Sequence, residues 1–414
     1  GAERQASPAG VLASPGVRLE ASSDNVAPVV GAPPLGTTAW SDAALRLDRW
    51  ISTRDIRGWD PYDALASPLV RALTLGTRPA RIAWTQLLRR SPLQLRALLG
   101  VPTLENPKAI ALVLEGRLRL AALHAGNVLE LVERLEGARA SGGGWGYAFP
   151  WANRDAWVPA GTPNAVVTAF AGQALLAADA AGVRVSEDAL ASAGEFVTNR
   201  LARIEGPAGS FCFGYTPLDR RAVHNASVLA AALLARLARR LDRREWDDDA
   251  IAAARFTLAA QRADGSWPYG TTARNAWVDS FHTGYVLVAL DELTRALDWD
   301  EPAAAVERGF EYWSETFLMP PAVAHRPGRP YPVDMHAVAH AVLTLLRFRD
   351  RVPGALDRAR ALGTWALDEM RAPDGSFHYL RHRTHVNRLP YLRWVQAWMF
   401  RALAELAVVD GGAG

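Results

Sequence analysis

Apolar residues recur along most of the chain at the three- and four-residue spacing of a helix face, and the pattern is strongest in five long segments. These are "NAVVTAFAGQALLAADA" from Asn164, "HNASVLAAALLARLARRL" from His224, "FHTGYVLVALDELTRAL" from Phe281, "MHAVAHAVLTLLRF" from Met335 and "YLRWVQAWMFRALAEL" from Tyr391. Their starts lie 54 to 60 residues apart, the span of a helical hairpin with a long loop. More polar helices fall between them, near 187–204, 248–261, 301–317 and 355–370, and others precede them near 40–54, 66–75, 79–98 and 106–140. A helix that is apolar all round is buried all round, whereas an amphipathic one covers it from outside. The alternation therefore predicts an all-α, (α/α)6-like toroid of helical hairpins, with enough N-terminal helix for a seventh pair.

Loops before several apolar helices carry glycine followed by an aromatic: "GGGWGY" at 142–147, "AGSFCFGY" at 208–215, "ADGSWPYG" at 263–270 and "PDGSFHYL" at 373–380. Glycine supplies the turn and the aromatic tucks inward. Gln261, Gly265 and Trp267 make the Q-x-x-x-G-x-W spacing of terpene cyclases and related helical toroids. Trp145 and Trp267 can either plug the repeat or stack on sugar rings. Residues 1–38, rich in Pro, Gly, Ala and Ser without apolar period, are expected to form a disordered or loosely attached arm before a single toroid domain at 39–410.

Composition narrows the function classes. There is no long uncharged apolar window and no basic-then-apolar start, so no membrane span is expected and the protein reads as cytoplasmic. A single cysteine, Cys212, rules out an internal disulfide, and a net charge of +3 without a basic run argues against a nucleic-acid partner. Lys108 is the only lysine, and "ENPKAIA" has no glycine-rich loop before it, so neither Schiff-base chemistry nor a phosphate loop is expected.

In a toroid the inner helices' N-termini and their preceding loops open on one face and line a cleft. The positions placed there are Trp157, Tyr215, His224, Asn225, Trp277, Asp279, His282, Tyr331, Asp334, His336, His340, Tyr379, Arg381, His382, His385 and Arg388. With His378 they take in seven of the chain's nine histidines. One histidine at a helix start is ordinarily a cap or a structural hydrogen-bonder; a cluster on one rim suits acid–base work near neutral pH. His336 and His340 have chelating spacing, but no glutamate follows the first as in H-E-x-x-H, so no metal and no other cofactor is expected. "EWDDD" at 245–249 nears the acidic motif of terpene cyclases, but helix parity puts it on an outer helix.

Six strings resemble a family of bacterial toroid proteins from exopolysaccharide and capsule gene clusters, often labelled prenyltransferase/squalene-oxidase-repeat proteins. They are "RGWDPYDALASPL" (57–69), "LLRRSPLQLRALLGVPTLENPKAIAL" (87–112), "CFGYTPLDRRAVHNASVLAAALLAR" (212–236), "DGSWPYG…WVDSFHTGYVLVAL" (264–290), "PVDMHAVAHAVLTL" (332–345) and "LPYLRWVQAWMFRALAEL" (389–406). The resemblance runs from about residue 50 to 406 and implies the fold and a place in polysaccharide metabolism. The inner-helix histidines also look like those of N-acylglucosamine 2-epimerases, whose paired imidazoles move a proton on and off a sugar carbon. Over about twenty residues, "GSFHYLRHRTHVNRLPYLRW" is similar to a segment of glucuronyl C5-epimerases and carries Tyr379, Arg381, His382, His385 and Asn387 across.

Together these imply an enzyme of uronate epimerase or lyase type acting on a saccharide such as an acidic glycan. Proton removal beside a carboxylate needs a base, an acid on the other ring face and a cation for the developing enolate. His282 or His336 is expected as base, Tyr379 or His224 as acid, and Arg381 or Arg388 as clamp, with the remaining cleft residues binding substrate. The alternatives are a glycoside hydrolase using Asp279 and Asp334, a terpene cyclase-like enzyme, and a glycan-binding protein without catalysis. Activity is expected to survive exhaustive chelation. Loss that a divalent ion restores would instead make His336 and His340 ligands.

Overall fold

Side-chain oxygens at helix starts set much of the architecture, because the first backbone N–H groups of a buried helix have no partner within it. In the computed structural model, which describes residues 37–120, 128–153, 156–319 and 322–411, fifteen α-helices appear. Chain contacts separate residues 1–32 from a second unit, 33–414. Residues 1–36 of the expected arm lie outside the described residues, and helix α1 begins at Thr37.

The helices are α1 (Thr37–Ser52), α2 (Pro68–Leu73), α3 (Arg78–Arg90), α4 (Leu95–Leu98), α5 (Pro107–Arg119), α6 (Val128–Gly137), α7 (Ala165–Ala180), α8 (Glu187–Arg200), α9 (His224–Leu241), α10 (Glu245–Ala259), α11 (Ser280–Leu297), α12 (Ala303–Phe317), α13 (Met335–Phe348), α14 (Ala355–Glu369) and α15 (Ala397–Gly411). Helices α5, α7, α9, α11, α13 and α15 pack in that order and return from α15 to α5, closing an inner ring. Each has an outer partner: α6, α8, α10, α12 and α14 follow α5 to α13 in sequence, while α15 pairs with α1 from the other end of the chain. Trp40 on α1 is buried and donates to Asp410 on α15 at 2.9 Å. Its ring also lies against Gly363 of α14, where a Cβ would meet it at 2.9 Å.

The six pairs complete the ring, and the N-terminal helices supply no seventh. Residues 79–98, expected as one helix, divide into α3 and α4 at Ser91-Pro92, since proline removes an N–H and disfavours helix in the residue before it. With α2 they form an insert around a small separate core of Ala64, Leu88 and Val101.

The glycine-aromatic loops act as structural plugs. Gly265 has φ +87°, and a Cβ there would sit 2.5 Å from the Arg308 carbonyl oxygen. Gln261 ties the Gly265 and Ala305 carbonyls, and buried Trp267 donates to the Thr257 carbonyl at 3.0 Å. Trp145 is likewise buried and donates to the Leu135 carbonyl at 2.6 Å, so both tryptophans hold the repeat together. Past the first turns of the inner helices some contacts between ring members turn polar. Arg401 of α15 pairs with Glu115 of α5 at 3.1 Å, and Arg236 of α9 holds Glu292 of α11 at 3.0 Å together with Gln173 of α7.

Removing the Trp40 side chain is expected to cost ~3–5 kcal/mol of unfolding free energy, since a large cavity opens where α1 meets α15. Denaturant titration of Trp40→Ala measures this. A loss below ~1 kcal/mol would show that ring closure does not depend on that seam.

Candidate active site

Inner helices α5, α7, α11 and α13 start beneath capping oxygens of Asn106, Asn164, Asp279 and Asp334. Asp279 accepts from the His282 backbone N–H at 2.9 Å, and its two oxygens also lie 2.9 and 2.8 Å from His282 Nδ1. A carboxylate against Nδ1 makes that nitrogen the donor and leaves Nε2 as the reacting atom. Burial works to raise the Asp279 carboxyl, but the charge and hydrogen bonds of His282 outweigh it and hold it below its ordinary value. The His282 side chain is 22% exposed, beside a narrow cleft lined by Asn225, Tyr269, Trp277 and Asp279. Tyr269 and Trp277 stack at 4.2 Å and both present their rings to His282 edge-on.

The second imidazole comes from α13. His336 Nε2 is 2.8 Å from the Tyr285 hydroxyl, and its buried Nδ1 has no partner. His282 and His336 flank the Phe281 ring at 4.2 and 4.6 Å, which together bound their separation at about 9 Å. Trp394 and Trp398 cover the other side of His336, at 4.4 and 4.9 Å. His340, one turn on, meets the Tyr285 ring edge-on at 4.4 Å and Thr344 Oγ1 through Nδ1 at 3.2 Å. The two histidines thus share a tyrosine.

Lys108 lies at the first turn of α5, almost wholly buried. Its ammonium group is 3.4 Å from the Tyr285 hydroxyl and 3.9 Å from the centre of Phe170, with Tyr285 and Trp398 rings each 5.2 Å away. Burial pushes Lys108, His336 and His340 all well below their ordinary values, and a proton on Lys108 further disfavours one on either histidine. The sequence around this lysine carries no motif, and its being the only lysine, just ahead of the apolar run Ala109–Leu114, is the available signal.

A third group surrounds Asp334, which caps the His336 N–H at 2.9 Å and accepts from Trp394 Nε1 at 3.1 Å. Burial pushes its carboxyl up to about 6, against those hydrogen bonds and the Arg89 charge. Arg89 from α3 lies over Tyr62 at 5.0 Å and hydrogen-bonds Tyr379, whose buried hydroxyl is raised well above its ordinary value, chiefly by burial. Nearby, Arg393 is neutralised by Asp60 at 2.6 Å. A single turn of π-helix at Leu392–Gln396, ahead of α15, carries Arg393 and Trp394. Tyr62, Arg89, Lys108 and Tyr285 were not among the expected site residues, although "RGWDPYDALASPL" contains Tyr62.

The remaining expected residues divide between rim and periphery. Tyr215 meets Tyr147 at 3.4 Å between hydroxyls and lies beneath Arg221 at 5.1 Å, Trp157 lies under Arg81 at 4.0 Å, and Trp277 under Arg326 at 4.6 Å. Tyr331 is exposed. His224, expected as an opposing acid, packs against Phe256 of outer helix α10, with neither ring nitrogen bonded. Arg381, expected as a clamp, lies 3.8 Å from Glu369 at the end of outer helix α14. Arg388 is exposed near His378, and His382 and His385 stack on each other at 4.3 Å in the 380–387 hairpin. "EWDDD" begins outer helix α10, where Asp247 and Asp249 pair with Arg239 and Arg203.

No family model matches this sequence, and no curated protein matches it. Solved structures do. A sugar epimerase from a ruminal bacterium superposes with a TM-score of 0.58 at 11% identity, over 75% of this chain and 90% of that one. Cellobiose 2-epimerase from Spirochaeta thermophila gives 0.56 at 12%, covering 75% and 87%. An unsaturated glucuronyl hydrolase specific for heparin gives 0.56 at 13%, covering 91% and 97%. What they share with this chain is the α/α toroid.

His224 is held neutral, its pKa lowered by burial to about 4, so its contribution is complete above 6.5 and is lost as pH falls from 6.5 toward 4. At pH 5 the loss amounts to roughly 2 kcal/mol. Thermal melts should therefore show a smaller fall between pH 7 and pH 5 in His224→Phe than in the parent. Equal falls would mean the imidazole takes up its proton inside the fold.

Proposed function

We propose that this protein is a carbohydrate-active enzyme of bacterial polysaccharide metabolism that moves a proton at a sugar carbon, an epimerase or lyase acting on an acidic saccharide. The observation carrying this reading is the pair of imidazoles flanking Phe281, one oriented by Asp279 and the other bonded to Tyr285. A carboxylate-oriented imidazole with a free Nε2 is suited to taking a proton from carbon. The broken C–H bond leaves its electron pair on the carbon and, by resonance, on the adjacent carboxyl or carbonyl oxygen. Inversion requires His336 to enter the cycle protonated, against the burial that favours its neutral form. It then delivers that proton to the opposite face while His282 keeps the one it took, and loss of a leaving group instead gives elimination. The fold neighbours named as epimerases support the first outcome.

Arg89 takes the clamp role that the sequence assigned to Arg381 and Arg388. It reaches the Asp334–Tyr379 group, and among the described residues no carboxylate forms an ion pair with it. A guanidinium so placed can hold a substrate carboxylate and take up charge that develops on it. The likeness of the six sequence strings to exopolysaccharide-cluster proteins supports the pathway.

A second reading rests on Asp334. A carboxylic acid held at about 6 is suited to protonating a leaving oxygen or an unsaturated uronide, and the neighbour named as an unsaturated glucuronyl hydrolase shares the fold. Asp279 is engaged through both oxygens by His282, which argues against the expected Asp279/Asp334 pair as two free carboxylates.

Incubation with uronate-containing glycans in deuterated water separates these readings. Solvent deuterium at a ring carbon without chain cleavage is expected; an unsaturated product indicates the lyase outcome. His282→Ala and His336→Ala should each lower the exchange by roughly 10²–10⁴-fold. The melting temperature should change little for His282→Ala and fall for His336→Ala, whose ring is buried, so exchange is compared at a temperature where both variants are folded. New reducing ends without deuterium at carbon would overturn proton transfer in favour of Asp334-driven hydrolysis.

A further inference from the structure

The insert formed by α2, α3 and α4 has a surface unlike the rest of the molecule. Of the ten exposed large apolar side chains among the described residues, six fall within residues 69–98: Leu69, Leu73, Leu75, Leu87, Leu93 and Leu98. Leu75 and Leu98 are 86% and 80% exposed. These leucines are not spare core, because the insert already has its own in Ala64, Leu88 and Val101. Leu69 and Leu73 lie one turn apart on α2 and so share a side of that helix.

Charge singles out the same stretch. No aspartate or glutamate occurs between Asp63 and Glu105, while six arginines do. Arg96 is spent internally on Asp63, and Arg89 reaches the candidate site. Arg71 and Arg90 stand exposed among the leucines, Arg71 with one guanidinium nitrogen on the Leu65 and Ala66 carbonyls and the rest of the group toward solvent. Scattered exposed leucines need no explanation, but a cluster of six rimmed by arginine and free of acid is what an amphipathic surface segment presents to anionic lipid. No helix of the described residues is long and apolar enough to cross a membrane, so any such association is peripheral.

We propose that residues 68–98 dock the toroid on an anionic membrane surface, the leucines entering the boundary between headgroups and acyl chains and the arginines meeting lipid phosphates. The inference is independent of the reaction. Since α3 also supplies Arg89, docking would hold one wall of the candidate site at the membrane, within reach of a saccharide carried on lipid.

The test is sedimentation of the full chain with vesicles of phosphatidylcholine alone and of phosphatidylcholine mixed equally with phosphatidylglycerol. Binding to the anionic vesicles is expected, weakened by added salt and reduced by about ten-fold or more in Leu75→Glu/Leu98→Glu. Both sites are highly exposed, and circular dichroism melting confirms that the variant is folded. A second variant, Arg71→Gln/Arg90→Gln, should weaken anionic binding while leaving the leucines intact. Absence of binding to either vesicle overturns the proposal, as does equal binding to both. Self-association without lipid that the leucine variant abolishes would also overturn it and make this a face between two copies of the chain.

Discussion

Backbone N–H groups at the first turn of a buried helix must find an acceptor, and in this ring that requirement brings polar side chains to the place where the helices converge. Asn106 and Asn164 do only that. Asp279 and Asp334 do it with a negative charge, which a helix N-terminus favours, and each has a second oxygen interaction to offer. Asp279 gives its to the His282 ring and Asp334 to Trp394, so a demand of helix geometry also orients an imidazole and an indole. Capping a helix and orienting an imidazole are not alternatives at Asp279. One carboxylate serves both.

The ring was legible because helical period and repeat length act locally, and every inner helix from α7 to α15 falls largely within a segment the sequence marks as apolar. The partner of α15 was not, because the pairing of α1 with the last helix joins residues more than three hundred positions apart and leaves no periodic trace. At the site, helix starts were easy to find but side-chain direction was not. His282 and His336 are the third and second residues of their helices, whereas His224 is the first of α9. Each residue turns the direction by about 100°, so His224 points at α10 while Asn225, next in the chain, lines the cleft. Arg381 follows from likeness to a short segment of another family and Arg388 from its place in the same loop, and neither fixes what the side chain meets. Lys108, Arg89 and Tyr62 reach the centre from segments that carry no histidine and no recurring loop.

The inner helices present opposite environments along their length. At their N-terminal ends imidazoles, a lysine and aromatic rings are packed with little water, and burial works against protonation of His336, His340 and Lys108. Farther along, Arg401 forms an ion pair with Glu115, and Arg236 holds Glu292 and Gln173, five residues from five different helices. Charges in such a place are tolerable when paired, and removing one partner is far costlier than the pair's net contribution to stability. Fixed pairs of this kind, with Arg347 of α13 on Asp291 of α11 at 2.5 Å, also constrain the rotation of α11 and α13, on which the direction of His282 and His336 depends.

Pairing α1 with α15 also gives the protein an order in time. During synthesis α1 is made near the beginning and its partner near the end, so the apolar side of α1 that carries Trp40 stays without its cover while the intervening helices are made. At ~5–20 residues per second this interval is tens of seconds, long compared with the formation of any single hairpin. Trp394 and Trp398, which cover His336, arrive with the same final segment. The candidate site is therefore completed only when the ring is, and a ribosome-bound fragment lacking the last helix would hold most of the fold but an open imidazole pocket.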